Sequence, residues 1–120
     1  GVDLHAREDV VIAPAGGRAL VPTGFAVAIP PGYGGFVLPR SGLALKHGIS
    51  VLNTPGTIDR GYRGEVGVIL INHGRSRVDV YPGMKIAQMV IASCLTVTVE
   101  ESGELSRTSR GRGGFGSTGD

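Results

Sequence analysis

The sequence predicts a small all-β domain, and three observations predict it. Glycine supplies 21 and proline 7 of the 120 residues, about twice their average usage. Inside a helix glycine costs about 1 kcal/mol against alanine and proline about 3, so this composition excludes a helical bundle. Short apolar or alternating runs recur between turn-forming residues, the spacing of a sandwich, jelly roll or barrel. Hydrophobic residues make up 41% of the chain and charged residues 18%, which argues for a packed core and against disorder. No Gly-x-y period is present, so collagen is excluded as well.

Taken in order, each element has its own signal. Val10–Ile12 precede the turn residues Pro14-Ala-Gly-Gly17. Arg18–Val21 reads as a strand, and Thr23–Ile29 as another, with Phe25, Val27 and Ile29 alternating against alanines up to Pro30-Pro31-Gly32. Phe36–Leu38 and Ile49–Leu52 are short strands, and between them Gly42–His47 is one helical turn. Glu65–Ile71 is apolar on both faces and is expected at the centre of a sheet. Asn72-His-Gly74 reads as a hairpin turn into Val78–Tyr81, which ends at Pro82-Gly83. The last run, Lys85–Glu100, closes in alternation that predicts Leu95, Val97 and Val99 inward and Thr96, Thr98 and Glu100 outward.

The sequence divides into a β domain over 1–104 and an arm over 105–120. The arm is Ser, Thr, Arg and Gly with one aromatic, Phe115, a composition that builds no core. The formal net charge of +2 is that of the arm, where Arg107, Arg110 and Arg112 face Asp120; the first 104 residues are neutral. A neutral body without a basic stripe argues against nucleic acid as a partner. No apolar run reaches the roughly 18 residues of a membrane span, and no signal-peptide pattern opens the sequence; a cytoplasmic location is the expectation. Cys94 is the one cysteine, so no intrachain disulfide forms, and its apolar neighbours predict a buried thiol. His5, His47 and His73 lack metal-ligand spacing, which argues against a protein-held zinc site.

Five segments carry polar groups suited to chemistry. Arg110–Gly119 contains glycines that let backbone N–H groups close on an anion, hydroxyls at Ser117 and Thr118, and a stacking aromatic at Phe115. Its Gly-x-Gly-x-x-Gly is no dinucleotide fingerprint, since no strand precedes it and no helix follows. Pro39-Arg-Ser-Gly-Leu-Ala44 places an arginine and a hydroxyl where a short helix begins, although taken alone a capping serine beside a solvated arginine is the better reading. In Asn53–Gly64, Asp59 and Tyr62 stand three apart in a glycine-bounded loop: a general base and a sugar-packing aromatic, or an ordinary loop pair. Asp3 near the start and Gln88 within Lys85–Ile91 are polar residues in apolar surroundings. Read singly, each has a plain structural explanation.

Read together, these segments resemble the five ordered motifs of the trimeric deoxyuridine triphosphatases. Gly1-Val-Asp-Leu4 is similar to the first, Pro39–Ala44 to the second, Asn53–Val68 to the third, Lys85–Ile91 to the fourth and Arg110–Gly119 to the fifth. The family has a strand before the first motif, whereas Gly1 already lies within it. The resemblance implies a jelly-roll-like β domain, a homotrimer with active sites between subunits, and hydrolysis of dUTP to dUMP and pyrophosphate with Mg²⁺. Such an enzyme limits uracil incorporation into DNA and supplies dUMP for thymidylate synthesis. By motif position it implies Asp59 as the base that activates water and Tyr62 under the deoxyribose. Asn53 and the hairpin backbone around Thr57 and Ile58 would read uracil. Arg40, Ser41 and Gln88, with Gly42 beside them, would hold phosphate oxygens, and Asp3 would reach the metal through a water. Arg110, Ser117 and Thr118 would grip the γ-phosphate, with Gly116 beside them, while Phe115 stacks on uracil. Arg112 falls at a variable position and receives no role. Two alternatives stay open: a deoxycytidine triphosphate deaminase of the same fold, and a non-enzymatic nucleotide-binding module. The first places a carboxylate in the strand after the third motif, where Val66–Ile71 has none.

Overall fold

A computed structural model describes residues 1–119. In chain order its elements are β1 (Val2–His5), β2 (Val10–Ile12), β3 (Gly17–Pro22), β4 (Tyr33–Leu38), α1 (Ser41–His47), β5 (Ile49–Val51), β6 (Gly56–Ile58), β7 (Gly67–Asn72), β8 (Val78–Val80) and β9 (Lys85–Ser93). They form a four-stranded sheet ordered β1-β9-β4-β6, a three-stranded sheet ordered β3-β7-β5, and the pair β2-β8. All pairings are antiparallel. Every strand contributes to one apolar core, with Leu4, Ile12, Val21, Val51, Leu70 and Ile86 at its centre.

The expectation for the Glu65–Ile71 run holds: β7 is the middle strand of its sheet, with Val68 and Leu70 buried and Ile69 and Ile71 half-buried. The helical turn also forms. It ends at Gly48, whose φ of 69° lets its N–H reach the carbonyls of Ala44 and Leu43, a left-handed cap that glycine adopts without steric cost. A Cβ there would also lie 2.9 Å from the Gly74 amide.

Several expectations are corrected. Thr23–Ile29 is not a strand, although Ile29 is buried. Its backbone bonds to Val66, the residue just before β7, through Thr23 N–H to the Val66 carbonyl and Val66 N–H to that of Phe25. Asn72-His-Gly74 does not close a hairpin: β7 pairs with β3 and β5, whereas β8 crosses to β2. The side chain of Asn72, wholly buried, makes this crossing instead, donating to the carbonyls of Ile12 (3.1 Å) and Ser76 (2.9 Å) and accepting from Gly74 N–H (2.9 Å). Strand β9 stops at Ser93, and Leu95, Val97 and Val99 do not point inward; they are 91%, 76% and 93% exposed. Their alternation pairs with no strand among the described residues. Cys94 is likewise exposed, not buried, because it falls just past the last ladder residue.

Candidate active site

The structure gathers the predicted residues into three groups. The first lies where β1, β9 and the start of α1 meet. Asp3 stands opposite Gln88 in the β1–β9 ladder. Its carboxylate faces Arg40 (Nε to Oδ1 3.6 Å) and Lys85 (Nζ to Oδ2 3.4 Å). Arg40 Nη1 also donates to the Lys85 carbonyl at 3.4 Å, and Gln88 Nε2 donates to the Pro39 carbonyl at 3.0 Å. Pairing of strands remote in sequence thus fastens the second-motif loop to β9, with Ser41 and Gly42 exposed beside it. Ser41 is the first helical residue and not the cap; Arg40 holds that position and makes no side-chain cap.

Sequence reasoning missed Lys85, and the reason is a bulge. Leu4 pairs with Ala87 but His5 pairs with Lys85, so Ile86 is extra. Ile86 and Ala87 are both buried, and Lys85 and Gln88 therefore turn outward together. A strict two-residue period puts them on opposite faces. Its place in the fourth motif was the available signal.

The second group is built on β6 and the loop to β7. In β6, Gly56 and Ile58 are buried and Thr57 is exposed, so Asp59 emerges on the open side. A turn carries the chain from Asp59 to Tyr62, with Tyr62 N–H at 3.4 Å from the Asp59 carbonyl. The Tyr62 hydroxyl donates to the Glu65 carbonyl at 2.8 Å, folding the ring back over Gly64. A Cβ at Gly64 would sit 2.5 Å from that hydroxyl oxygen. Arg7 also pins this loop, pairing with Glu65 at 3.0 Å, a second contact the sequence did not disclose. Beneath the loop lies a cleft of two adjoining cavities. One, of about 160 Å³, is lined by Thr57, Ile58, Tyr62, Val66 and Gly67; the other, of about 80 Å³, reaches Asn53 and Gly56. Asp59 lines a further cavity of about 170 Å³ with Cys94.

The third group, Arg110, Phe115, Gly116, Ser117 and Thr118, is exposed on the arm. The arm makes its own turns, with Arg110 Nε donating to the Gly113 carbonyl at 2.7 Å and Gly111 N–H to Thr108 Oγ1 at 3.1 Å.

Strand β4 measures the gap between the first two groups. Gln88 stands opposite Leu38 and Ile58 opposite Gly35, three residues or ~10 Å apart, and Asp59 lies beyond Ile58. The cavity beside α1 is lined by Arg40 and Gly42, but by no residue of the second group.

As a donor set for metal, the described residues hold no group of three His, Cys, Asp or Glu. A lone carboxylate, Asp3, between Arg40 and Lys85 fits an ion that keeps waters and phosphate ligands of its own, as Mg²⁺ does.

Fold and site together define a class: a small all-β domain that presents cations and an amide at one place and an aromatic-roofed cleft at another. The family model for dUTPase matches residues 1–119. The chain is 63% identical over 119 residues to the deoxyuridine 5'-triphosphate nucleotidohydrolase of Gloeothece citriformis, covering 99% of this chain and 81% of that one. It is 56% identical to the enzyme of that name from Clostridium tetani, with the same coverage. Among solved structures it superposes with a TM-score of 0.88 on the dUTPase of Staphylococcus bacteriophage 80alpha with dUpNHpp, at 29% identity over 98% of this chain and 85% of that one. A dUTPase of phage phi11, described with a structural Mg(II) ion, superposes at 0.75 with 27% identity, covering 85% and 82%. The chain belongs to the dUTPase family, and its fold is the jelly-roll-like β fold of that family.

Proposed function

We propose that the chain hydrolyses dUTP to dUMP and pyrophosphate at sites assembled from neighbouring copies of itself in a homotrimer. The single observation that carries the shared site is the spacing along β4. Gln88 and Ile58, the residue before Asp59, stand ~10 Å apart along β4, which favours drawing the base and the phosphate ligands of one site from different copies. In a trimer the loop of one copy faces the Asp3–Arg40–Gln88 group of the next, and the arm over 105–119 closes over both. The exposed Leu95, Val97 and Val99 support this reading, because they supply the apolar surface that a second copy covers.

The chemistry follows from the side chains. Asp59 accepts a proton from a water as its oxygen bonds to the α-phosphorus. The bond from that phosphorus to the α–β bridging oxygen breaks, and pyrophosphate leaves with the electron pair. Arg40, Ser41 and Gln88 hold the phosphate oxygens, and Arg110, Ser117 and Thr118 add donors when the arm closes. Asp3 would hold Mg²⁺ through a water, and the ion, when bound, offsets charge on the triphosphate. The cleft beside Asn53, Thr57 and Ile58 takes uracil, Phe115 stacks on it, and Tyr62 packs against the deoxyribose where a 2′-hydroxyl would stand.

Pyrophosphate release compared across dUTP, dTTP, dCTP and UTP with Mg²⁺ tests this reading. Turnover of dUTP alone is expected. Equal turnover of UTP would remove Tyr62 from sugar selection, and formation of dUTP from dCTP would make the chain a deaminase.

A further inference from the structure

Arg7 lies outside the five motifs, yet its backbone is anchored on both sides and its side chain reaches the loop that carries Tyr62. The preceding residue, Ala6, is buried. It bonds in both directions to the β8–β9 turn, its N–H donating to the Met84 carbonyl (2.9 Å) and its carbonyl accepting from Gly83 N–H (2.8 Å). Arg7 N–H then donates to the Pro22 carbonyl at the end of β3 (2.9 Å). The arginine stem runs over Gly24, where a Cβ would come 3.0 Å from Arg7 Cδ. Its guanidinium meets Glu65 at 3.0 Å (Nη1 to Oε1) and stands farther, at 4.0 Å, from its chain neighbour Glu8. Glu65 is the residue whose carbonyl receives the Tyr62 hydroxyl at 2.8 Å. The next residue, Val66, accepts from Thr23 Oγ1 at 2.6 Å and lines the cleft together with Tyr62.

We propose that Arg7 is a positioning residue for sugar selection: its ion pair with Glu65 fixes the carbonyl against which the Tyr62 ring is set. The inference rests on the reading of Tyr62 as the residue that packs against the deoxyribose, and it names what holds that ring in place. A hydroxyl-to-carbonyl bond orients a ring only as well as the carbonyl itself is held. Val66 N–H, bonded to the Phe25 carbonyl at 2.8 Å, secures one side of the Glu65 peptide. Arg7 secures the side chain, and no other cation pairs with Glu65 among the described residues. Within its own chain Arg7 lines none of the cavities beside the loop, so it acts on the ring through Glu65. Rejecting one extra oxygen on a sugar is sensitive to a displacement of ~1 Å. A pair this exposed contributes little to folding and is screened by salt, so its effect is to be sought in selectivity.

A double-mutant cycle tests it in the full-length chain. The variants are Arg7→Ala, Glu65→Gln, both together, and Arg7→Lys, read by kcat/KM for dUTP and for UTP, hydrogen exchange of residues 60–66, and urea unfolding. The ratio of the two substrates cancels what salt or substitution does to triphosphate binding in general. Each single variant is expected to lower the preference for dUTP ~3-fold and to exchange the loop ~3-fold faster, with the double variant no worse and Arg7→Lys close to wild type. In about 1 M salt the wild-type preference is expected to fall toward that of Arg7→Ala, whose own preference hardly moves. Single losses that multiply to ~9-fold in the double variant overturn the pairing. So does an unchanged preference in the single variants, with or without a lower urea midpoint, when wild type selects dUTP. A wild type that releases no pyrophosphate from dUTP, or uses UTP equally, overturns the sugar reading of Tyr62 and this inference with it.

Discussion

At the scale of single residues, three side chains separate chemistry from architecture. Asp59 is exposed at the end of β6 and takes part in none of the side-chain hydrogen bonds or ion pairs found among the described residues. That leaves its carboxylate open to a water. Asp59→Asn keeps the shape and loses the base, so kcat is expected to fall ~10²–10⁴-fold with dUTP affinity held within a few-fold, measured by pyrophosphate release and calorimetry. Turnover near wild type would assign the base elsewhere. Asn72 is the contrasting case. It is buried and serves three backbone partners, so Asn72→Ala strands two carbonyls and an N–H. A loss of about 2–4 kcal/mol in urea unfolding is expected, with KM for dUTP little changed. Tyr62 belongs between the two, because its hydroxyl anchors the loop while its ring faces the cleft. Tyr62→Phe removes one hydrogen bond worth about 1 kcal/mol and keeps the ring. Its expected effect is a modest rise in KM for dUTP with discrimination against UTP retained.

At the scale of elements, the ends of β9 govern the site. Its first residues carry the bulge that sets Lys85 and Gln88 on one face. Lys85→Met is expected to release one side of Asp3 and raise the Mg²⁺ concentration for half-maximal activity several-fold, while Lys85→Arg restores it. Equal Mg²⁺ dependence in both variants would limit Lys85 to a structural part. Beyond Ser93 the sequence keeps the two-residue period of a strand, yet it pairs with no strand among the described residues. Removing residues 108–120 is expected to leave folding and trimer formation intact and to remove most activity. Unfolding on truncation would make the arm part of the core.

At the scale of the whole molecule, the proposed shared site makes a prediction that no single-chain site permits. Asp59→Asn and Arg40→Ala chains, each nearly inactive alone, are expected to regain a fraction of wild-type activity when unfolded together and reassembled. Some sites then receive an intact Asp59 from one copy and an intact Arg40 from another. Activity that stays at the level of the separate variants would place both residues in one chain's site.

The sequence by itself determined the all-β class, the central position of β7, the short helix and the five ordered motifs. These depend on local preferences and on residue types that a short window reveals. Thr23–Ile29 shows where that stops: it alternates as well as any strand, but a ladder needs a partner in register, and no window of sequence supplies one. The same holds for the bulge at Ile86, for Asn72 across the β7–β8 crossing, and for Arg7 on Glu65. Each is a contact between segments far apart along the chain. Tertiary structure decided those, and it decided the spacing of Ile58 and Gln88 along β4, because distance across a sheet is a property of strand order and register.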